Sequence, residues 1–442
     1  MAPTASPSPS GPKHLLPHLW SYFRQPLACY QALAARHGEP FSVPSPLGGR
    51  MAVTGCPAHI RRIFQGGPGL YRSVDAVAGM FYGENSLVSL DGEIHVHVRR
   101  ALMAPVLLHP AGAFGLMREA TLRAFSGPGE RFDMLDKARA ITLEVIMGAV
   151  FGVLGERERA EFTAAVHGMQ DSVGLLAVFV EALRRDLGPR SPWGRFIRAR
   201  AVCYALIEAR MAAARAAGDA QDDSVLAYWV RLRDPDGRPA LTDAQIRDNL
   251  LTLLFAGHDS SAVAVAWSVY WTHREPGVLI ALLDELRGYA ATPEAGLPAR
   301  TPYLDAVCRE SLRMHPVAPG VARRLARPMD LGGFSVPEGD VVMACVDLAC
   351  HDPALYPDPQ RFRPERFLER DYGHDEFIPF GGGERRCPGA RLAFMEMRAV
   401  LATLVCGFRL RLMEKRPLNA AWSHGIRRPE TGVRMLLLGP RP

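Results

Sequence analysis

The chain has 442 residues, of which 48% are hydrophobic and 22% charged, a composition typical of a globular protein with a sizeable core. Its eight cysteines are scattered without a pairing pattern, which argues against a disulfide framework and indicates a reducing compartment. The net charge of +6 comes without a basic run interleaved with aromatic residues, so no nucleic-acid partner is expected. Such a basic surface is either simply solvated or binds an acidic partner protein.

The N-terminal region predicts no targeting or membrane segment. Residues 1–13 are rich in proline and serine and lack an apolar stretch, which predicts a disordered tail. Pro17 and His18 interrupt the short apolar segment that follows, so it fits neither a signal peptide nor a membrane anchor. We therefore expect a cytoplasmic protein without a membrane anchor, with residues 14–442 forming a single domain.

The next part of the chain predicts a small sheet followed by a helix. Apolar residues alternate around turn signals over residues 38–53, which is typical of an antiparallel sheet, and residues 57–65 have the pattern of a helix. Residues 71–90 are irregular and punctuated by glycine. Such a stretch either lines a pocket or fills a loop, and Phe81 and Tyr82 within it are candidates for contact with a ligand.

His95 and Arg99 form the first candidate binding pair. They stand four residues apart and share a helix face, from which two donor groups can bind one carboxylate. Taken alone, a solvated helix face is the commoner explanation of such a pair. His97 points elsewhere and is expected at the surface.

Several helices are predicted over residues 137–218. Residues 141–151 are strongly apolar and are expected in the core, whereas residues 173–187 are amphipathic and end at Gly188 and two prolines. Phe179, within the amphipathic segment, is a candidate for the wall of a substrate pocket. Ordinary helix packing is the alternative for these segments.

A long helix is predicted to begin at a capping box formed by Thr242 and Gln245. No proline follows until Pro276, so the helix has about 34 residues and is on the order of 50 Å long. Its middle reads Ala256-Gly257-His258-Asp259-Ser260-Ser261. Glycine, aspartate and serine are poor helix formers, and this interruption indicates a functional reason.

The interrupted segment has the residues for a ligand groove. Ala256 and Gly257 leave space for a planar ligand, and a serine hydroxyl can donate to the carbonyl four residues earlier and loosen the helix. Asp259 and Ser260 would then form an acid–alcohol pair that relays protons. Phe255 is a candidate pocket residue. A crossing point of small residues without chemistry is the alternative.

The segment from Phe380 to Gly389 reads Phe-Gly-Gly-Gly-Glu-Arg-Arg-Cys-Pro-Gly and precedes an apolar-periodic helix over residues 390–405. Pro388 suits the first turn of that helix, so Cys387 lies at a helix N-terminus. There the backbone N–H groups and the helix dipole are expected to lower the pKa of the thiol. One thiolate without a second cysteine or histidine nearby is a poor zinc site and a good axial ligand for haem iron. The alternative is a buried cysteine in an ordinary loop.

This loop resembles the haem-ligand loop of the cytochrome P-450 superfamily, the haem-thiolate monooxygenases. Phe380, Gly383, Arg385, Cys387 and Gly389 match its fixed positions. The resemblance implies a mainly α fold with small β-sheets, in which a single domain holds haem b between the long central helix and the helix after the cysteine loop.

The resemblance also implies the role of each candidate residue. It assigns contacts with the haem to eight residues: His95, Arg99, Ala256, Arg323, Phe380, Arg385, Cys387 and Gly389. Cys387 is the expected axial ligand of the iron, and His95, Arg99 and Arg323 are the expected propionate clamps. Asp259 and Ser260 correspond to the oxygen-activation motif, in which the family usually has threonine where this chain has Ser260.

Three further groups follow from the resemblance. Glu310 and Arg313, three residues apart on one predicted helix over residues 302–314, and Arg366 correspond to a structural ion-pair network beneath the cysteine loop. The helices and loop around residues 173–187 correspond to a movable lid. Val317 and Val321, in an extended apolar stretch, are candidates for the pocket wall.

The expected reaction is insertion of one oxygen atom of dioxygen into an apolar small molecule, by hydroxylation or epoxidation, in secondary metabolism. The electrons are expected from a separate ferredoxin and its reductase, docked at basic residues near the cysteine, and the protein is expected to be a monomer. The alternatives are a haem-thiolate peroxygenase, isomerase or dehydratase that needs no external electrons, a haem-binding sensor, and a helical scaffold without haem.

Overall fold

The computed structural model describes residues 7–45, 48–67, 69–72, 76–106, 110–125, 127–172, 184–218, 222–291, 297, 301–423 and 425–441. Helices dominate this part of the chain and small sheets accompany them, as the sequence predicted.

The helices, in chain order, are α1 Leu15–Arg24, α2 Pro26–His37, α3 Pro57–Phe64, α4 Ala76–Tyr82, α5 Gly92–Val106, α6 Pro110–Arg123, α7 Met134–Phe151, α8 Glu156–Ser172, α9 Pro192–Ala216, α10 Val225–Arg231, α11 Asp243–Ala256, α12 Asp259–Arg274, α13 Pro276–Glu285, α14 Arg287–Ala291, α15 Pro302–Met314, α16 Val346–Cys350, α17 Arg366–Glu369 and α18 Ala390–Gly407. The strands are β1 Phe41–Pro44, β2 Arg50–Thr54, β3 Tyr71–Arg72, β4 Arg131–Asp133, β5 Gly320–Leu325, β6 Met329–Leu331, β7 Phe334–Val336, β8 Val341–Cys345, β9 Phe408–Leu412, β10 Ala420–Ser423, β11 Ile426–Pro429 and β12 Arg434–Pro440.

The largest sheet joins residues 41–72 to residues 320–345. Its strand order is β1-β2-β8-β5-β3. The antiparallel β1–β2 pair confirms the small sheet predicted over residues 38–53, and β2 also pairs in parallel with β8, in the register Met51 opposite Val341. β4, β12 and β9 form a second, antiparallel sheet.

The predicted long helix is present as two helices with a break between them. Thr242 and Gln245 form the predicted capping box at the start of α11. α11 ends at Ala256 and α12 begins at Asp259, so the break falls in the segment with poor helix formers. The whole stretch is long and apolar enough to cross a membrane, and 67% of its most apolar window is buried inside the protein, as in a core helix.

α12 is the centre of the main hydrophobic core, where it packs between α7, α15 and α18. Trp267 and Tyr270 on α12 are fully buried, and burial of each such side chain contributes about 1.5–3 kcal/mol. The Trp267 ring stacks on His315 with 3.6 Å between the ring centroids. This packing fixes α12 relative to α15 and to α18, the helix that directly follows the cysteine loop.

The described part of the N-terminal tail lies against the domain. The backbone N–H of Ser42 donates to the carbonyl of Ser10 (2.8 Å), and the Arg50 guanidinium donates to the carbonyl of Pro12 (3.0 Å). Over residues 7–13 the chain thus makes hydrogen bonds to the domain, and the disorder expected for residues 1–13 stays a prediction. The first six residues lie outside the described part, and the domain limits 14–442 stay a prediction.

The predicted lid lies largely outside the described residues. Residues 173–183, which include Phe179, are not described. The amphipathic helix predicted over residues 173–187 and the pocket role of Phe179 therefore stay predictions.

Candidate active site

The cysteine loop presents one thiol at the start of α18. A single turn of 3-10 helix, Gly383–Arg385, precedes it. The backbone N–H of Cys387 then donates to the carbonyl of Phe380 (2.9 Å), which closes the loop. Of the eight cysteines, all of them described, only Cys387 is exposed. The loop therefore offers a single accessible sulfur, as an axial metal ligand requires.

Two glycines of the cysteine loop are required because α3 packs closely against the loop. A Cβ atom on Gly382 would overlap the Phe64 ring, and a Cβ atom on Gly383 would overlap the Phe64 carbonyl. Gly383 also has φ +67°, which disfavours other residues. Gly389 is different, because its nearest neighbour would be the Cys387 sulfur at 4.0 Å. Of these three glycines, only Gly389 leaves room beside the sulfur.

The pKa of the Cys387 thiol is raised, so the predicted lowering is wrong in its net direction. Although part of Cys387 is exposed, enough protein surrounds its sulfur that desolvation raises the pKa of the thiol. This effect outweighs the lowering effects of the Gly389 N–H and of the charges on Arg99 and Arg386. The helix N-terminus thus acts as expected but is the smaller influence. A bound metal ion would supply the positive charge that holds the sulfur as thiolate.

Four predicted haem contacts line one cavity. His95 and Arg99 on α5, Arg323 on β5 and Arg385 in the cysteine loop border a cavity of about 210 Å³. Burial and the neighbouring arginines lower the pKa of His95 to about 4. At neutral pH His95 is therefore a neutral hydrogen-bond donor, and the positive charge of this wall comes from the three arginines.

Arg385 and Arg99 connect the cysteine loop to α5. The Arg385 guanidinium donates to the Asp91 carboxylate (2.6 Å) and to the carbonyl of Leu90 (2.7 Å). Its Nε atom is buried and has no hydrogen-bond partner among the described residues. Arg99 donates to the carbonyl of Arg386 (2.6 Å), beside the cysteine. A buried donor without an acceptor is costly, and the unpaired Nε is consistent with an acidic group of a ligand at this wall.

At the helix break, Ser260 makes the predicted hydrogen bond, whereas Gly257 does not provide the predicted space for a ligand. The Ser260 hydroxyl donates to the carbonyl of Ala256 (2.6 Å), which is the predicted bond to the residue four positions earlier. Ala256 is exposed. A Cβ atom on Gly257 would lie 2.7 Å from the carbonyl of Leu253 and 3.0 Å from Ile146. Gly257 is thus required by close packing on α7, and only Ala256 keeps an open face.

Asp259 has an ionic partner that the sequence did not indicate. Its Oδ1 atom accepts a hydrogen bond of 2.8 Å from Nε of Arg139 on α7. Among the described residues, no hydrogen bond joins Asp259 to Ser260 directly. Arg139 is 120 residues away in sequence and belongs to no motif, so only the fold shows the pair.

Glu396 on α18 is a second site residue that the sequence analysis missed. Its side chain is almost fully buried. Burial raises the pKa of Glu396 to about 8, although a hydrogen bond with Ser261 on α12 lowers it. The carboxyl group is therefore mostly protonated at neutral pH, one residue from the predicted proton relay. The available signal was a single glutamate in a largely apolar helix whose other charged residues are Arg391 and Arg398.

Glu310, Arg313 and Arg366 come together as a fully buried network. Arg313 donates to Glu310 through Nε (2.7 Å) and Nη2 (2.9 Å), and Arg366 donates to Glu310 through Nε (3.0 Å). Further donor groups of the two arginines reach backbone carbonyls of residues 350–361. The network thus ties α15 to the segment that leads to the cysteine loop.

Three of the candidate pocket residues belong to an aromatic group. The Phe81 ring contacts Phe196 on α9 with 5.0 Å between centroids, and Tyr82 lies 6.5 Å from both Phe81 and Phe255. α4, which carries Phe81 and Tyr82, is thereby placed against α9 and α11.

The other two candidates, Val317 and Val321, lie in the segment that follows α15. Val317 and Val321 are half-buried. A Cβ atom on Gly381 would be 3.3 Å from Val321, so Val321 adjoins the cysteine loop. Val317 accepts a hydrogen bond at its carbonyl from the N–H of Arg427 on β11 (2.9 Å).

These residues fit a haem with one thiolate ligand. The site offers an accessible sulfur, a wall of arginines with an unpaired buried donor, and a helix break with an open alanine face. Within the described residues, no group of three or more His, Cys, Asp or Glu side chains is arranged to hold a metal ion, which disfavours a zinc site built from protein ligands alone.

The sequence model of the family Cytochrome P450 matches residues 116–436, and the chain therefore belongs to the cytochrome P450 family. This confirms the resemblance, the haem-thiolate monooxygenase class and haem b as the cofactor. The chain is 32% identical over 427 residues to a Mycobacterium tuberculosis protein named for cytochrome P450 135B1, covering 95% of this chain and 88% of the relative.

Of two further matches, the first supports the family and the second supports the fold. A Mycobacterium tuberculosis protein named for cytochrome P450 135A1 is 30% identical over 408 residues, covering 89% of this chain and 86% of the relative. The solved structure of cyanobacterial CYP120A1 with bound retinoic acid superimposes with a TM-score of 0.81 at 23% identity, over 98% of this chain and 99% of the other. The mycobacterial names give a family and no substrate.

Proposed function

We propose that this monooxygenase inserts one oxygen atom of dioxygen into an apolar small molecule of secondary metabolism, by hydroxylation or epoxidation. The observation that carries the proposal is the single exposed thiol of Cys387 at the N-terminus of α18, beside the arginine-lined cavity. The helix break supplies the second half of the site.

The residues of the cavity would hold the cofactor. Cys387 binds the iron, while Arg99, Arg323, Arg385 and neutral His95 bind the propionates. When bound, haem supplies the activation of dioxygen and the oxidation of the substrate. The protein supplies the position and the electrostatic environment. Phe380, Gly389 and Ala256 would complete the surface of the haem site.

Asp259 and Ser260 would deliver the protons that cleavage of dioxygen consumes. The Ser260 hydroxyl donates its single proton to the Ala256 carbonyl, so it must rotate away from that carbonyl before it can donate onward. Because Asp259 makes no direct hydrogen bond to Ser260 among the described residues, at least one water molecule must join them. Buried Glu396, beside Ser261, is a second proton reservoir at this break.

The substrate would be apolar because the walls are apolar. Phe81, Tyr82 and Phe255 belong to one aromatic group, and Val317 and Val321 are half-buried apolar residues. Burial of apolar area is the main source of affinity in such a pocket. The solved neighbour binds retinoic acid, a largely apolar molecule, and this likeness supports the same broad class of substrate.

The electrons would come from a separate ferredoxin and its reductase. Of the basic residues near the cysteine, Arg385 is directed inward to Asp91, whereas Arg100 and Arg386 are exposed. Arg100 and Arg386 are therefore the better candidates for contact with an acidic ferredoxin. We propose that the protein is a monomer in the cytoplasm, where such electron carriers are available.

The absorption spectrum of the reduced, carbon-monoxide-bound protein tests the proposal. The wild type should show the thiolate-type Soret band, and Cys387→Ser should lose it. Cys406→Ser, which changes another cysteine that is not fully buried, should keep it. Retention of the band in Cys387→Ser would refute the assignment of the ligand. Turnover with hydrogen peroxide but never with reduced ferredoxin would favour the peroxygenase alternative.

A further inference from the structure

One face of α7 contacts the helix break at three successive positions. Arg139, Thr142 and Ile146 are spaced three and four residues apart, so their side chains share a face. Arg139 reaches Asp259, Thr142 reaches the carbonyl of His258, and Ile146 packs where Gly257 has no side chain. We call these three residues the α7 clamp.

The Thr142 hydroxyl fixes the backbone of the break. It donates to the carbonyl of His258 (3.0 Å), which also accepts the helical hydrogen bond of Ala262 (3.0 Å). Both lone pairs of this carbonyl are therefore engaged. Because Ile146 fills the space beside Gly257, the break is held from outside as well as by its own sequence.

Arg139 fixes the acid of the relay. Its bond to Asp259 is largely sheltered, with 26% of the arginine side chain and 13% of the aspartate side chain exposed. Asp136, the other acid near Arg139, is 3.7 Å away and 76% exposed, so it competes weakly. A short, charge-assisted bond between sheltered groups restricts the carboxylate to one orientation.

We infer that Arg139 is a positioning residue for proton delivery: it holds the Asp259 carboxylate at α7 and so determines where the water that joins Asp259 to Ser260 can bind. The small exposed fraction of the Asp259 side chain keeps it in contact with solvent. Thr142 assists by fixing the backbone from which Asp259 projects. This inference rests on the proposed roles of Asp259 and Ser260.

The test measures how electrons are divided between hydrogen peroxide and water. The holoenzyme is driven with NADPH through a surrogate ferredoxin and ferredoxin reductase, without added substrate, in H2O and in D2O. NADPH oxidation, oxygen uptake and hydrogen peroxide are measured for Arg139→Gln, Arg139→Lys and Thr142→Val. The matched control is Arg159→Gln. It removes the ion pair between Arg159 on α8 and Glu144 on α7, which does not involve the helix break.

Arg139→Gln should raise the hydrogen peroxide formed per oxygen consumed by about threefold and change the solvent isotope effect on NADPH oxidation. Misplacement of a catalytic group by about 1 Å can cost up to about a hundredfold in rate, so a threefold change is a modest expectation. Arg139→Lys keeps the charge and should recover most of the wild-type ratio. Thr142→Val should raise the ratio, and Arg159→Gln should leave it unchanged.

Asp259→Asn, measured in the same series, separates the inference from the proposed function. If Asp259→Asn leaves the ratio unchanged, the proposed relay itself is wrong. If Asp259→Asn raises the ratio and Arg139→Gln does not, the relay stands and the role of Arg139 is refuted. An equal rise in Arg139→Gln and Arg159→Gln would also refute it. The carbon-monoxide spectrum confirms that each variant is folded. Arg139→Met, for which the same rise in the ratio is expected, decides the case if Arg139→Gln does not fold.

Discussion

Replacement of Glu310 by glutamine should destabilise the protein strongly. The Glu310 carboxylate accepts four hydrogen bonds, from Arg313 Nε (2.7 Å), Arg313 Nη2 (2.9 Å), Arg366 Nε (3.0 Å) and the backbone N–H of Arg363 (2.8 Å). Glu310→Gln keeps the shape of the side chain and removes its charge. Two buried guanidinium groups then lose their counter-ion, and the glutamine NH2 faces donors with which it cannot bond.

The expected loss in the free energy of unfolding is about 3–5 kcal/mol, the usual cost of breaking a buried ion pair on one side. Arg313 keeps its bonds to the carbonyls of Cys350 (2.8 Å) and Pro359 (2.9 Å), and these acceptors partly solvate its charge. We therefore expect the lower end, about 3 kcal/mol. Since domains are stable by only about 5–15 kcal/mol, this is a large fraction of the total.

Arg363→Gln is the matched control. The Arg363 side chain pairs with Glu369 (2.9 Å) at the surface, with 34% and 54% of the two side chains exposed. Loss of such a pair costs about 0–1 kcal/mol. Both variants are unfolded in urea and followed by tryptophan fluorescence and by haem absorption, and their midpoints are compared. A midpoint for Glu310→Gln that equals that of Arg363→Gln would refute the reasoning.

Three further predictions concern the site. Burial raises the pKa of Glu396 to about 8 from 4.5. Between these pH values the folded protein keeps a proton on Glu396 that the unfolded chain has lost. The free energy of unfolding therefore falls as pH rises, by at most about 1.4 kcal/mol per pH unit. Glu396→Gln should remove this slope in urea midpoints measured from about pH 5 to 8, and an unchanged slope would contradict it. Ser260→Thr should lower, and Ser260→Ala raise, the hydrogen peroxide formed per oxygen consumed, and equal yields would exclude a role for the hydroxyl. Gly383→Ala, which would overlap the carbonyl of Phe64, should lower the haem-to-protein ratio, whereas Gly67→Ala, with nothing within 4 Å of the new Cβ, should not.

The sequence predicted those parts of the site that lie close together in the chain. The cysteine loop, the capping box of Thr242 and Gln245 and the helix over residues 302–314 are each determined within a few residues, and the structure has all three. The bond from Ser260 to Ala256 follows from helix geometry alone. Local rules of this kind need no knowledge of the fold.

The missed parts depend on contacts between distant segments. Arg139 has no motif around it, and its partner Asp259 is 120 residues away. The role of Gly383 in accommodating Phe64 depends on where α3 lies. The pKa of Cys387 was predicted in the wrong direction because the helix N-terminus is a local feature, whereas burial is set by the whole fold.

The five-stranded sheet has a consequence for how the protein is made. Its first three strands end at Arg72, and its other two begin only at Gly320. At a synthesis rate of about 5–20 residues per second, β2 and β3 wait on the order of 10–50 s for their partners β8 and β5. Phe64, which closes on the cysteine loop, waits longer still. The N-terminal sixth of the chain is therefore not an autonomous folding unit, and the haem cleft is completed only when nearly the entire polypeptide has left the ribosome.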